Sequence, residues 1–397
     1  MTSDLSSPEA HSHSPHAAKH AGPTVGIVGA GQLARMGWQA AISLDLELLC
    51  LGAAGEAAAG AGAPLLEGSG YDAAALAELA NRSQVLTFEH ELVNLPALAE
   101  LEASGALVRP STAVLALAVD KLHQRETLSA MEGVLVPAYA RVTSLAEIES
   151  FAAEHGWPVV LKARSGGYDG RGVWICAGVD AARRALEDGH AAGLELYVEQ
   201  AVEIAIEVAV IVARSPSGEV AVHPPVETNQ VDGMCSWVVM PARITEQTGL
   251  EVETLARNLA HQIGLEGLMA IELFLARDGR LLVNELALRT HNTGHLHTEA
   301  STTSQFEQHL RAVLDLPLGV TTPLAAAAMV NVVGPQDGSD PASHLDDALR
   351  VPGASIHLYG KSARPGRKLG HVTVCAATPE DALALAREAA DRLERDG

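Results

Sequence analysis

Residues 269–285 read Met-Ala-Ile-Glu-Leu-Phe-Leu-Ala-Arg-Asp-Gly-Arg-Leu-Leu-Val-Asn-Glu, two apolar runs around an Asp-Gly step. Asp-Gly between such runs predicts a hairpin with a two-residue turn, and the turn sets the register of the strands. With Arg277 opposite Arg280, Ala276 falls opposite Leu281 and Glu272 opposite Glu285. The two carboxylates then share one face, with Cβ atoms about 5 Å apart. Like charges directly opposite destabilise a ladder, so an apolar hairpin carrying this pair calls for a compensating cation. Carboxylate oxygens suit Mg²⁺, which keeps waters and takes further ligands from substrate phosphates. The hairpin is therefore read as a magnesium–nucleotide site. A one-residue slip would put the acids on opposite faces, and protonation or solvation of one acid would remove the need for a metal; both alternatives stay open.

The chain around this hairpin has 397 residues, 48% of them hydrophobic, enough for two or three domains with their own cores. A formal charge of -22 argues against general adhesion to nucleic acid, which needs clustered Lys and Arg. Cys50, Cys176, Cys235 and Cys375 are widely spaced and form no CxxC pair, which points away from zinc or a disulfide framework and toward a reducing compartment. With no apolar run of about 18 to 20 residues and no signal-peptide centre, the protein is expected in the cytoplasm, off the membrane. Residues 1–23 are rich in Ser, Ala and His, including His11, His13, His16 and His20, and read as a disordered leader.

From Thr24 the pattern is strand (Thr24 to Val28), glycine turn, helix to about Leu44, strand (Glu47 to Leu51). Helical stretches at 72–81 and 95–104 then alternate with strands at 84–88 and 106–108. This predicts a parallel α/β domain over 24–119. An α+β domain is expected over 120–318, with strands at 159–162, 195–212 and 221–227 and a closing helix at 304–314. Residues 319–397 form a small third unit, with strands near 328–333, 355–359 and 371–376 and a helix from Pro379.

Four further segments carry chemistry. Gly29-x-Gly31-x-x-Ala34 after a strand can turn backbone amides toward a phosphate, but the second strand ends Cys50-Leu51-Gly52 without the acid that would hold a dinucleotide ribose. The stretch 164–172, Arg-Ser-Gly-Gly-Tyr-Asp-Gly-Arg-Gly, follows a strand ending in Lys162. It predicts a flexible flap over phosphates and is not a P-loop, because no Gly-Lys-Ser/Thr follows. After the hairpin, Arg289, His291, Asn292 and His295 crowd into seven residues, and Arg364, Arg367 and Lys368 form a basic cluster in an acidic protein. An anion site is the sharper reading of each, a solvated loop the plainer one.

Taken together, Gly31-Gln32-Leu33 with Arg35-Met36, Val108-Arg109-Pro110-Ser111, Gly166-Gly167-Tyr168-Asp169-Gly170, Asn284-Glu285, His291-Asn292 with Gly294-His295, Thr303-Ser304-Gln305-Phe306-Glu307 and Arg364-Pro365-Gly366-Arg367-Lys368 resemble the N5-carboxyaminoimidazole ribonucleotide synthase family. The resemblance runs from about Thr24 to Thr378. It implies an ATP-grasp fold, α/β and α+β, with an N-terminal Rossmann-like pre-ATP-grasp domain and a small β-rich C-terminal domain. It also implies ATP, bicarbonate and aminoimidazole ribonucleotide as substrates, and a homodimer. ATP would lie among Lys121, Lys162, Gly167, Gly170, Glu199, Glu207, Gln230, Asn284 and Glu285, with magnesium on Glu272 and Glu285. Tyr168, Asp169, His291, Arg364 and Lys368 would serve the reaction. Gln32, Leu33, Glu89, Glu91, Arg289, Asn292, His295 and Arg367 would contact the ribonucleotide.

The chain departs from the family pattern at Lys121, where Arg is usual, at Gln230, where His is usual, and at His90, Leu92, Leu288 and Thr290. Two rivals remain at this point: a formate-using glycinamide ribonucleotide transformylase, and a nucleotide-binding protein without turnover.

Overall fold

A computed structural model describes residues 22–166, 172–231 and 233–395. The leader, except for its last two residues, and five flap positions, Gly167, Tyr168, Asp169, Gly170 and Arg171, lie outside the described residues.

The first sheet is parallel, ordered Leu65–Glu67, Glu47–Gly52, Thr24–Val28, Val85–Phe88. Strands this apolar are buried on both faces, and parallel neighbours need crossovers, supplied by the helices Gln32–Ser43, Ala73–Asn81 and Leu95–Ala103. Asp72 and Asn94 cap the last two through their side chains. The strand predicted at 106–108 is reduced to one parallel bridge, Leu86 to Val108. Gly105, at φ +102°, and Pro110 close in on it from either side and leave no room for a ladder.

The second sheet is antiparallel, ordered Tyr139–Arg141, Leu196–Gln200, Val159–Ala163, Val173–Cys176. The helices Leu145–His155 and Val179–Ala191 cover it, over a core that includes Ile148, Phe151, Leu161 and Val198. Lys162 and Glu199 lie on its two central strands.

The third sheet has nine strands and carries most of the site. Its order is Leu281–Ala287, Gly267–Ala276, Ile204–Arg214, Val226–Val231, Met234–Met240, Ala326–Val333, Lys368–Ala376, Ala354–Leu358, with Val220–Val222 paired to Ile204–Arg214. Two predicted runs are interrupted. The run 195–212 divides between the second and third sheets, and 221–227 breaks at His223-Pro224-Pro225, where two residues have no amide to donate. The sheet passes across the 318/319 division, because Trp237 pairs with Val330 and Asn331 with His371. Among the described residues no helix is long and apolar enough to cross a membrane.

Candidate active site

The hairpin places Glu272 opposite Glu285, by a different route from the two-residue turn that the sequence predicts. The turn spans three residues: the Gly279 amide donates to Ala276 O at 3.0 Å, the Ala276 amide donates to Arg280 O at 2.9 Å, and Gly279 takes φ +86°. Glycine tolerates this left-handed position, which closes a type I turn with a bulge. Leu275, not Ala276, therefore faces Leu281. A second bulge restores the pairing, because Leu273 faces Val283 while Glu272 faces Glu285, leaving Asn284 as the extra residue. In a regular strand Asn284 and Glu285 would point to opposite faces. The bulge turns Asn284 toward the same groups, so that its Nδ2 donates to Glu272 Oε2 at 3.4 Å and its Oδ1 accepts from Lys162 Nζ at 3.3 Å.

Charge is arranged unequally across the pair. Burial, followed by the Glu285 and Glu207 carboxylates, pushes the Glu272 carboxyl up to about 7. Burial also works against ionised Glu285, but Lys121, whose Nζ lies 3.0 Å from Oε2, outweighs it and holds that acid below its ordinary range. Lys162 Nζ lies 2.6 Å from Glu199 Oε2, and Arg125 Nε donates to Oε1 at 2.5 Å. Against the penalty of burial, these two cations hold Glu199 at about 2. Glu207 lies across from Phe274 on the neighbouring strand, is raised by burial, and receives a hydrogen bond from Gln230. Lys121, Lys162, Glu199, Asn284, Glu285 and Glu272 thus form one connected polar cluster. Two carboxylates facing each other across the hairpin are a donor pair for a hard cation.

His291 caps a short 3₁₀ turn, Asn292–Gly294, with Nδ1 2.9 Å from Thr293 Oγ1 and Nε2 3.8 Å from Glu272 Oε1. Burial, then the charges of Arg289 and Lys368, drops its imidazole to about 3, so the ring is neutral. His295 is buried, hydrogen-bonds Gln305 Nε2 through Nδ1 at 3.1 Å and stacks on His371 at 4.7 Å; burial also keeps it neutral. Asn292 Nδ2 is buried, and the side chain has the Cys235 thiol, a weak acceptor, as its neighbour. Lys368, from the strand Lys368–Ala376, is near enough to bias both Glu272 and His291. Arg367 reaches back to Ser362 at 2.9 Å, and Arg364 stays exposed on the same turn.

The first sheet supplies the remaining wall. Arg289 Nε donates to Glu91 Oε1 at 2.8 Å. The glycine-turn amides, read from sequence as facing a phosphate, are engaged by carboxylates: Gly31 and Leu33 donate to Glu89 at 2.5 and 3.0 Å, and Ala30 donates to Glu56 at 3.1 Å. Acids satisfy helix-start amides as a phosphate does. Gln32 sits partly exposed beside them.

Arg125 and Gln124 were not singled out from the sequence. The capped helix Lys121–Ser129 carries them, and a helix beginning at Asp120 sets 121, 124 and 125 on one face, a signal the sequence contained.

Comparison with known proteins joins these observations. The ATP-grasp domain family matches residues 127–306, the ribonucleotide synthetase preATP-grasp domain 23–119, and the phosphoribosylaminoimidazole carboxylase C-terminal domain 327–385. The chain is 44% identical over 371 residues to N5-carboxyaminoimidazole ribonucleotide synthase of Mycobacterium tuberculosis (strain ATCC 25618 / H37Rv), covering 91% of this chain and 86% of that protein. A relative of the same name from Synechococcus elongatus is 41% identical over 355 residues, covering 88% of this chain and 89% of that one. Among solved structures, the Aspergillus clavatus enzyme in complex with ADP and 5-aminoimidazole ribonucleotide superposes with a TM-score of 0.86 at 33% identity, covering 94% of this chain and 99% of that one. The chain belongs to the N5-carboxyaminoimidazole ribonucleotide synthase family, and its architecture is the ATP-grasp fold of that family.

Proposed function

We propose that this chain uses ATP to carboxylate 5-aminoimidazole ribonucleotide with bicarbonate, giving N5-carboxyaminoimidazole ribonucleotide, ADP and phosphate. The γ-phosphoryl group passes to bicarbonate as carboxyphosphate, whose breakdown delivers CO₂ to the N5 amine. The observation that carries this reading is the Glu272–Glu285 pair, joined to Lys121 and Lys162 on one side and to His291 and Lys368 on the other. A phosphoryl donor and a carboxylate acceptor can therefore meet at one place.

Magnesium fits the donor set, since Glu272, raised by burial and by the Glu285 carboxylate, is relieved by a cation and the pair leaves ligand positions for phosphates and water. Bound there, it would neutralise charge on the transferring group. Lys162 and Lys121 add fixed positive charge toward the phosphates. Neutral His291 offers a hydrogen bond to bicarbonate without repelling the cations around it, and Lys368 attracts the anion. Tyr168 and Asp169, on the flap, are assigned to excluding water and orienting bicarbonate. Glu89, Glu91, Arg289, Asn292 and Arg367 are assigned to the ribonucleotide. Lys121, where Arg is usual, still places a cation 3.0 Å from Glu285, which favours turnover over a silent binding role. We place the enzyme in the cytoplasm as a homodimer, which light scattering at micromolar concentration tests.

The deciding experiment is phosphate release from ATP and bicarbonate with and without aminoimidazole ribonucleotide. Release that depends on this ribonucleotide, with the carboxyamino product formed, is the expected result. Release driven instead by formate and glycinamide ribonucleotide would overturn the reading.

A further inference from the structure

Arg125 is among the largest fully buried side chains, 1% exposed, and the reaction assigned above gives it no contact with substrate. Each nitrogen of its fork nevertheless donates a hydrogen bond. Nε donates to Glu199 Oε1 at 2.5 Å, Nη1 donates to Val283 O at 3.3 Å, and Nη2 donates to Asn284 O. The last two carbonyls are those of the bulge itself. Bulges leave backbone groups out of the ladder, and a buried carbonyl without a donor is destabilising. Gln124, on the preceding residue of the same helix, holds the far side of the bulge: Nε2 donates to Leu286 O at 3.2 Å, and Oε1 accepts the Leu286 amide at 3.0 Å. Lys121, one turn earlier, contacts Glu285.

We infer that Arg125 is a positioning residue, whose guanidinium fixes the Asn284 bulge and so aims Asn284 and Glu285 together with Glu272 at a metal–nucleotide complex. The same fork ties that aim to Glu199 on the second sheet. Metal geometry and nucleotide contact are thereby set by one side chain. Lysine at this position could keep the charge beside Glu199, but its single ammonium lacks the planar fork that reaches Glu199 and both carbonyls together. The inference rests on the metal–nucleotide reading of the hairpin.

The test uses the full chain, wild type, R125K and R125M, with ADP and Mn²⁺ as probes. ADP affinity without metal comes from calorimetry, and Mn²⁺ affinity at saturating ADP from the electron paramagnetic resonance signal of the free ion. Outer partners of metal ligands typically change metal affinity about 10- to 100-fold. R125K is expected to bind ADP within about twofold of wild type while losing at least about tenfold in Mn²⁺ affinity, and R125M to lose in both. A general loss of packing would lower the melting temperature of R125K without this split. R125K that binds Mn²⁺ within about twofold of wild type overturns the positioning role, and it decides the matter even where R125M does not fold. Wild type that binds ADP yet no Mn²⁺ would instead sink the metal–nucleotide reading itself.

Discussion

Glu272 is held near the middle of its titration at neutral pH, pushed up to about 7 by burial and by the Glu285 carboxylate. A carboxyl raised in the folded state stabilises that state fully below its unfolded pKa, and the advantage is lost as pH rises through the folded value. For this residue the window runs from about 4.5 to about 7 and slightly beyond. Glu272→Gln keeps the shape and removes the charge. In urea titrations without nucleotide it should nearly match wild type at pH 4.5 and exceed it by about 3 kcal/mol at pH 8, the linkage of a carboxyl carried from 4.5 to about 7 at about 1.4 kcal/mol per unit. The same variant should lose at least about 100-fold in turnover, because the charge that destabilises the empty site is the one that serves the reaction. Equal stability of the two proteins at pH 8 would show that the carboxylates do not oppose each other. A companion measurement follows from the same proton. Formation of the magnesium–ADP complex should release about one proton at pH 6 and almost none at pH 8.5, read by calorimetry in two buffers of different ionisation enthalpy.

At the scale of the element, the hairpin shows what was legible and what was not. That Glu272 and Glu285 face each other is legible by counting outward from the turn, and the structure has them paired. Asp-Gly, however, serves both a two-residue turn and the last positions of a three-residue one, so the turn was misread by one residue. Val283-Asn284-Glu285 contains no glycine or proline to announce a bulge, and the two deviations cancel. Hence the pairing is right and its route is wrong. The bulge, rather than the turn, sets the pairing at Glu285, so Gly279→Ala should cost about 1 kcal/mol through strain at φ +86° and leave turnover within about twofold. Denaturant unfolding and phosphate release measure the two halves. A large fall in turnover would place control of the site in the turn. Helix faces were equally legible in principle: Asp120 followed by Lys121, Gln124 and Arg125 marks one inward stripe, although only Lys121 was picked out as a polar group with work to do.

Across the whole molecule the site is made from three sheets, and no local pattern in the sequence marks how they meet. The first sheet reaches the others through contacts between residues far apart in the chain. Arg109 Nε lies 3.0 Å from Glu266 Oε2, Arg109 Nη1 donates to Val313 O at 2.7 Å, and Thr87 Oγ1 is 2.8 Å from His309 Nε2. Pattern reading sees periods of two and 3.6 residues, whereas these contacts depend on how finished elements dock. The Thr87–His309 pair tests the coupling most cleanly. Burial drops His309 to about 4, so the ring is neutral, and its Nδ1 already lacks a partner among the described residues. Thr87→Val keeps the side-chain volume and leaves Nε2 unpaired as well, which should lower stability by about 1–3 kcal/mol. Thr87→Ser restores the hydroxyl and should recover most of that loss. Two residues beyond Thr87, Glu89 follows directly on the strand Val85–Phe88 and is proposed to face the ribonucleotide, whereas the Glu272–Glu285 cluster belongs to the large sheet. The valine variant should therefore raise the KM for aminoimidazole ribonucleotide several-fold while ADP affinity stays within about twofold, because a shift of the first sheet moves one half of the site and not the other. Parallel loss of both affinities would mean that the sheets do not move independently and that the docking contacts shape the nucleotide site as well.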